Sequence, residues 1–203
     1  MTGRSSRPTW RNEAGMYLRY ILALFSAGRP VPVFDAQGLK PRSVDSWSPD
    51  EQRLLVDEGR RQLDRQVADL YQIQTRAQIV LTTGIALGVG WASMLSSIFD
   101  ASGLWQVAVM VLWITAGVLI VLTTLGAAAL VSVRADFGMI HATLLSLSTP
   151  PVLDALAAAY ARTVRIGHNT IATRLGLLRI SVLLILAAAA ALGLVWLASR
   201  AGA

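Results

Sequence analysis

The stretch LWQVAVMVLWITAGVLIVLTTLGAAALVSV, residues 104–133, holds no Asp, Glu, Lys, Arg or His. As a helix it would extend about 45 Å at about 1.5 Å per residue. That exceeds the roughly 30 Å hydrocarbon core of a bilayer. Residues 79–99 and 180–198 are also uncharged and long enough to cross. Lipid offers no hydrogen-bonding partner to the backbone, so each of the three predicts a membrane-spanning helix.

Composition agrees with this reading. Charged residues make up 15% of the 203-residue chain and hydrophobic residues 54%, whereas a soluble domain carries about 25% charged residues. The charges crowd into residues 1–78 and 134–179. Cysteine is absent, which excludes disulfides, thiol catalysis and Cys-ligated zinc. A net charge of +6 suits basic residues that flank the spans and face anionic lipid. No motif or aromatic-basic patch points to nucleic acid.

Arginine sets the orientation. Arg60, Arg61, Arg65 and Arg76 precede the first span, Arg134 follows the second, and Arg162, Arg165, Arg174 and Arg179 precede the third. The loop Asp100-Ala101-Ser102-Gly103 has no basic residue. The positive-inside bias therefore predicts a cytoplasmic N-terminus and an external C-terminus. Trp91, Trp105 and Trp196 are candidate interfacial anchors, with Trp105 and Trp196 nearest the outer ends.

The helices outrun the membrane. Ser48-Pro49-Asp50-Glu51 is a helix start: Ser48 caps, Pro49 takes the first helical position, and Glu51 completes a capping box. Val56, Leu63, Leu70 and Ala77 then recur every seven residues with Val67 between them, a coiled-coil-like seam interrupted by Arg60 and Gln74. Asp57, Arg61, Arg65 and Asp69 share another face and read as solvated. Thr149-Pro150-Pro151 separates the second helix from a third, whose positive end Asp154 favours. On the third, Leu153, Leu156, Tyr160, Val164, Gly167, Ile171, Leu175 and Leu178 form an apolar stripe. The predicted fold is an all-α integral membrane protein. Three long helices of matched length, about 70 Å each, form an antiparallel bundle over residues 49–203 that spans the membrane and extends into the cytoplasm.

Residues 1–48 form an irregular cytoplasmic arm with a short amphipathic helix at 16–27. Met16, Tyr17, Tyr20, Ile21, Leu24 and Phe25 share one face there and Arg19 lies off it, predicting a helix that lies on the membrane or against a neighbour. The apolar run is short for a span, and Arg19 within it argues against a cleaved signal.

Little in the chain predicts catalysis, a cofactor or a metal. His141 and His168 fall on different helices, with Asp136 the one acid nearby in sequence. Gly84, Gly88 and Gly90 lie inside a span and form no phosphate loop, and no serine stands in a nucleophile motif. The first span carries Thr82, Ala86, Gly90, Ser93 and Ser97 as a small, polar stripe, and Gly84 and Gly88 as a small-xxx-small pair. Packing within the chain, packing between subunits and lining of an aqueous path are all open to these residues. Thr123 and Thr124 raise the same choice. No ionisable group lies within the spans, which argues against an ion-coupled transporter.

Two stretches carry a resemblance. In DRQVADLYQIQTRAQIVLTTGIALGVGW, residues 64–91, a cytoplasmic helix with the pair Arg76-Ala77 runs into a span. In residues 160–197, Asn169 and Arg174 precede the last span. With the hairpin between them, this layout resembles the small membrane effectors of bacterial anti-phage systems, the SLATT class and the Pycsar transmembrane effectors. The resemblance implies a homo-oligomer in the bacterial inner membrane that perturbs or permeabilises it on infection. No nucleotide-sensing domain is recognisable. Arginine used almost to the exclusion of lysine, with Lys40 the one lysine, suggests a high-GC bacterium or its phage. Two alternatives keep the architecture: a non-enzymatic adaptor that recruits a cytoplasmic protein, and a phage-encoded exclusion protein.

Overall fold

The computed structural model describes residues 10–25, 47–96, 104–133 and 152–201. Among them four helices are bounded, and no strand: α1 Trp10–Leu24, α2 Pro49–Ser93, α3 Leu104–Ser132 and α4 Val152–Ala201. The sequence predicts three long helices. The fourth is the amphipathic segment, which begins at Trp10 rather than at residue 16. Within the described residues the three long helices extend over 45, 29 and 50 residues. The predicted continuation of α3 over residues 134–148 lies outside the described residues.

Two helices are long and apolar enough to cross a membrane, Trp105–Ser132 and Val152–Arg200. The predicted span at 79–99 is not one of them. α2 ends at Ser93, and a turn follows in which the Met94 N–H donates to the Trp91 carbonyl at 3.3 Å. Only residues 79–93 of the predicted span fall within the bounds of α2, and residues 97–99 lie outside the described residues. The predicted span at 180–198 is the last part of one unbroken helix that begins at Val152.

The chain divides into two compact units. One comprises Met1–Pro8, Pro32–Ile73 and Arg134–Leu175; the other comprises Thr9–Val31, Gln74–Val133 and Gly176–Ala203.

In the first unit, α2 opens on the capping box. The Ser48 N–H and hydroxyl both donate to Glu51 Oε2, at 2.7 and 2.8 Å, and the Glu51 N–H donates back to Ser48 Oγ at 3.4 Å. Gln52 donates from Nε2 to the Trp47 carbonyl at 3.2 Å and to Asp154 Oδ1. Gln66 Nε2 donates to the Val164 carbonyl at 3.0 Å, and buried Gly59 lies against Tyr160. Residue numbers rise together along both partners, so these parts of α2 and α4 run in the same direction.

The buried positions of this unit are polar or small to an unusual degree. On α2 they are Gln52, Gly59, Gln66 and Ile73, one every seven residues. The predicted seam residues Val56, Leu63 and Leu70 are half-buried beside them, while Val67 is 42% exposed and off the seam. On α4, Leu153, Leu156, Tyr160, Val164 and Ile171 are half-buried and Leu175 is exposed. Of that stripe Gly167 is fully covered, as is Leu178 further on, and the other fully covered positions of this unit's α4 are Ala157, Thr163, Thr170, Thr173 and Arg174. The covered line is thus rotated from the apolar stripe toward smaller side chains, which let two helix backbones approach closely.

In the second unit, α1 packs on α3 through Tyr17, Tyr20 and Ile21. Gly84 of α2 faces Thr124 of α3, and Gly88 faces Ile120, so this part of α2 runs opposite to α3. Ala116, Ile120, Ala188, Ala191 and Leu192 form one buried cluster, and Val109 with Val195 a second. Along α3 the covered residues Val109, Ala116, Thr123 and Leu130 recur every seven positions; along α4 so do Ser181, Ala188 and Val195. This spacing keeps one line of side chains facing a neighbour along the helix.

The cap makes a testable pH dependence. Hydrogen bonds from the Ser48 N–H and then the Ser48 hydroxyl hold the Glu51 carboxyl below its ordinary 4.5. A depressed folded value means the cap is fully stabilising above pH 4.5 and is lost as pH falls through the folded value. Protection from hydrogen exchange in the first turn of α2, taken relative to the intrinsic rate at each pH, should therefore fall on acidification below that point. The Glu51→Gln variant should show low protection throughout and lack the pH step.

Candidate functional site

The best-defined constellation lies in the second unit, where two aromatic side chains reach into the backbone of α3. Trp91 and Trp113 stack with ring centroids 4.1 Å apart and planes 16° from parallel. Each indole N–H donates to the other residue's carbonyl: Trp91 Nε1 to the Trp113 carbonyl at 2.8 Å, and Trp113 Nε1 to the Trp91 carbonyl at 3.0 Å. The Trp113 carbonyl lies inside a helix, one turn before Gly117. A donor that reaches it from outside must cross the place where the side chain of residue 117 would stand. A Cβ there would be 2.7 Å from the Trp91 ring. Glycine is what opens the approach.

Tyr17 repeats the device. Its hydroxyl donates to the Leu122 carbonyl at 3.0 Å and shares a hydrogen bond with Ser181 Oγ of α4 at 3.1 Å. Gly126 follows Leu122 by one turn, and a Cβ there would collide with the Tyr17 hydroxyl. One phenol thus joins three helices. Burial pushes the Tyr17 phenol above its ordinary 10.0, and the bond to Ser181 partly offsets this. Tyr17 is therefore neutral at physiological pH.

The small, polar stripe divides. Gly84 and Gly88 turn toward α3, within the chain. Thr82, Ala86 and Ser93 are exposed, and Gly90 is half-buried with no side chain near it. Thr82 satisfies its hydroxyl on the Gln78 and Ile79 carbonyls and Ser93 on Gly90, so both hydroxyls are already engaged along their own helix. Thr123 is fully buried and Thr124 half-buried, with their hydroxyls on the Leu119 and Ile120 carbonyls. Ser97 lies outside the described residues.

Among the described residues the titratable side chains do not gather. His168 is exposed, and His141 and Asp136 lie outside the described residues. Asp154 is engaged by Gln52. Among the described residues no three His, Cys, Asp or Glu side chains come together as a metal would require. Of the arginines that orient the chain, Arg60, Arg61, Arg65, Arg76, Arg162, Arg165 and Arg179 are exposed, whereas Arg174 is 0% exposed. Arg134 lies outside the described residues. Asp57, Arg61, Arg65 and Asp69 are all exposed.

Sequence reasoning missed both aromatic locks. The available signal was an aromatic or apolar residue followed four positions later by glycine, Trp113 to Gly117 and Leu122 to Gly126. That spacing is common in apolar helices and does not name the aromatic partner. No family model, curated protein or solved structure matches the chain.

The locks predict a graded mutational series. Tyr17→Phe removes two hydrogen bonds and should destabilise by about 1–2 kcal/mol. Gly126→Ala and Gly117→Ala force the aromatic out and should cost about 1–3 kcal/mol each. Tyr17→Phe should rescue only a small part of the Gly126→Ala loss, because it removes the colliding oxygen but leaves ring atoms Cζ and Cε2 in collision with the new Cβ. Thermal unfolding in mild detergent reads all four variants. Because the folded phenol titrates above the unfolded one, its stabilisation is complete below pH 10.0 and is lost as pH rises through the folded value. α1 should detach in that alkaline range. In Tyr17→Phe this pH step should be missing.

Proposed function

We propose that the chain is a multi-pass protein of the bacterial inner membrane. It acts without enzymatic chemistry, by self-association that perturbs or permeabilises that membrane. The observation that carries the membrane reading is an inside-out distribution of side chains. The two long apolar helices have windows of mean hydropathy 2.4 and 2.6, yet only 28% of each is buried. A core helix of a soluble protein would be mostly covered. Here Val107, Met110, Val111, Ile114, Val118 and Val121 point outward on α3, while Thr123 and Ser181 are enclosed.

In the proposed topology, residues 79–99, 104–133 and 180–198 cross as an antiparallel three-helix bundle with the N-terminus in the cytoplasm. Three features support it. The end of α2 and α3 run in opposite directions. Trp105 and Trp196 are exposed near one end of their unit, where an aromatic belt would lie, and Arg200 stacks 4.4 Å over the Trp196 ring. Most orienting arginines are exposed. Self-association and membrane damage rest on the layout shared with the anti-phage effectors, and on the exposed Thr82, Ala86 and Ser93. A second reading, an adaptor for a cytoplasmic protein, is favoured by Val67 and Tyr71. They form an exposed apolar pair one turn apart on α2.

Induced expression in bacteria loaded with a voltage-sensitive dye should depolarise the inner membrane, and the particle in mild detergent should weigh several chains. A lasting monomer with an intact potential would discard the effector reading, and co-purification of a stoichiometric cytoplasmic protein would favour the adaptor. The chain has no native cysteine, so the Ser102→Cys variant reports topology cleanly. It should react with an impermeant thiol reagent added outside intact spheroplasts; reaction only after lysis would invert the topology.

A further inference from the structure

Helix α1 is apolar on two sides, and α3 covers only one of them. Tyr17, Tyr20 and Ile21 are buried. Leu18, Leu22 and Phe25 recur at steps of four and three and are 56%, 58% and 69% exposed. They line an adjoining flank about a third of a turn round the helix, with Phe25 exposed there rather than on the covered face that the sequence predicts, and Arg19 is exposed beside them. An isolated apolar residue on a surface means little, but a three-residue line with a cation beside it has a definite physical partner.

Position along α3 and α4 says which. Tyr17 meets Leu122, about 17 residues from Trp105, or about 26 Å along α3. It also meets Ser181, about 15 residues from Trp196, or about 22 Å along α4. If the two tryptophans mark one edge of a hydrocarbon core of about 30 Å, Tyr17 docks just inside the other edge. The neighbouring outward residues of α3 there, Val118 and Val121, are apolar and exposed. The outer line of α1 is apolar and exposed as well. An arginine near this boundary can keep its stem among acyl chains and extend its guanidinium to the phosphate layer.

We propose that the outer face of α1 is a lipid-contact surface at the inner boundary of the bilayer. Leu18, Leu22 and Phe25 lie among acyl chains, and Arg19 engages the phosphates of anionic lipid. This rests on the membrane reading above. Tyr17 gives the surface its position, because its hydroxyl fixes α1 to a defined level of α3 and α4.

Single cysteines at positions 18, 22 and 25, spin-labelled in phosphatidylglycerol-containing proteoliposomes, test the proposal. These positions leave the buried face of α1 intact. Cysteines at Val118 and Val121 serve as lipid controls and one at Asp57 as a water control. The expected result is strong broadening by oxygen and loss of broadening by the aqueous nickel chelate at 18, 22 and 25, matching 118 and 121. Bimane at position 22 should be quenched by lipids brominated on the acyl chain. Arg19→Gln should shift position 22 toward the aqueous reagent in anionic vesicles and leave it unchanged in zwitterionic ones. Aqueous accessibility at 18, 22 and 25 with lipid-like 118 and 121 would overturn the proposal while sparing the membrane reading. Exclusion of both reagents, or spin–spin broadening, would show the face covered by protein or by a second copy and would equally overturn it. Aqueous accessibility at 118 and 121 as well would remove the membrane reading itself.

Discussion

A helical carbonyl has two lone pairs, and its own helix uses one. The Trp113 and Leu122 carbonyls of α3 each lend the second to an aromatic donor from another segment, the Trp91 indole and the Tyr17 hydroxyl. The geometry requires an uncovered backbone one turn further on, and Gly117 and Gly126 supply it. Such contacts matter most among apolar helices. Dispersion alone is nearly indifferent to a rotation or a one-turn slip, whereas a hydrogen bond to one named carbonyl is not. The two locks therefore set which residues of α2, α1 and α4 lie opposite which residues of α3 within their unit.

The remaining packing is consistent with that constraint. α2, α3 and α4 each keep a covered line of residues at seven-residue intervals, filled by small or polar side chains more than by large apolar ones. Gln52, Gln66, Thr163, Thr170 and Arg174 are covered in one unit, and Thr123 and Ser181 in the other. Large apolar side chains such as Ile79, Ile114, Leu183 and Leu186 are left outside. In water this arrangement would waste the hydrophobic effect. In a bilayer it does not, because lipid serves those side chains as well as protein would. The buried hydroxyls of Thr123 and Ser181 then contribute direction, since each is held on a named partner, the Leu119 carbonyl and the Tyr17 hydroxyl.

These features bear on how such a chain works. Among the described residues the chemistry-bearing side chains are dispersed, so the reading of the molecule rests on surfaces rather than on a reaction centre. One phenol joins three helices, so the level at which α1 meets α3 and α4 is set by hydrogen bonds to named atoms.

The charge-free runs, the capping box at Ser48 and Glu51, and the helical character of the described residues between Pro49 and Ala201 were legible in the sequence, because all depend on neighbours along the chain. Periodicity also located α1, though not its first residue, and found the seam of α2 to within one side of the helix. The tertiary structure alone decided that Gln52 and Gln66 are covered while Val67 is not, that Arg174 is buried among its exposed fellows, and that Gly117 and Gly126 serve Trp91 and Tyr17. The reason is physical. Hydropathy records which side chains avoid water. In helices with lipid-like surfaces that preference no longer separates inside from outside, so the partner of each polar atom is set by backbone approach and hydrogen-bond geometry between segments far apart in the chain.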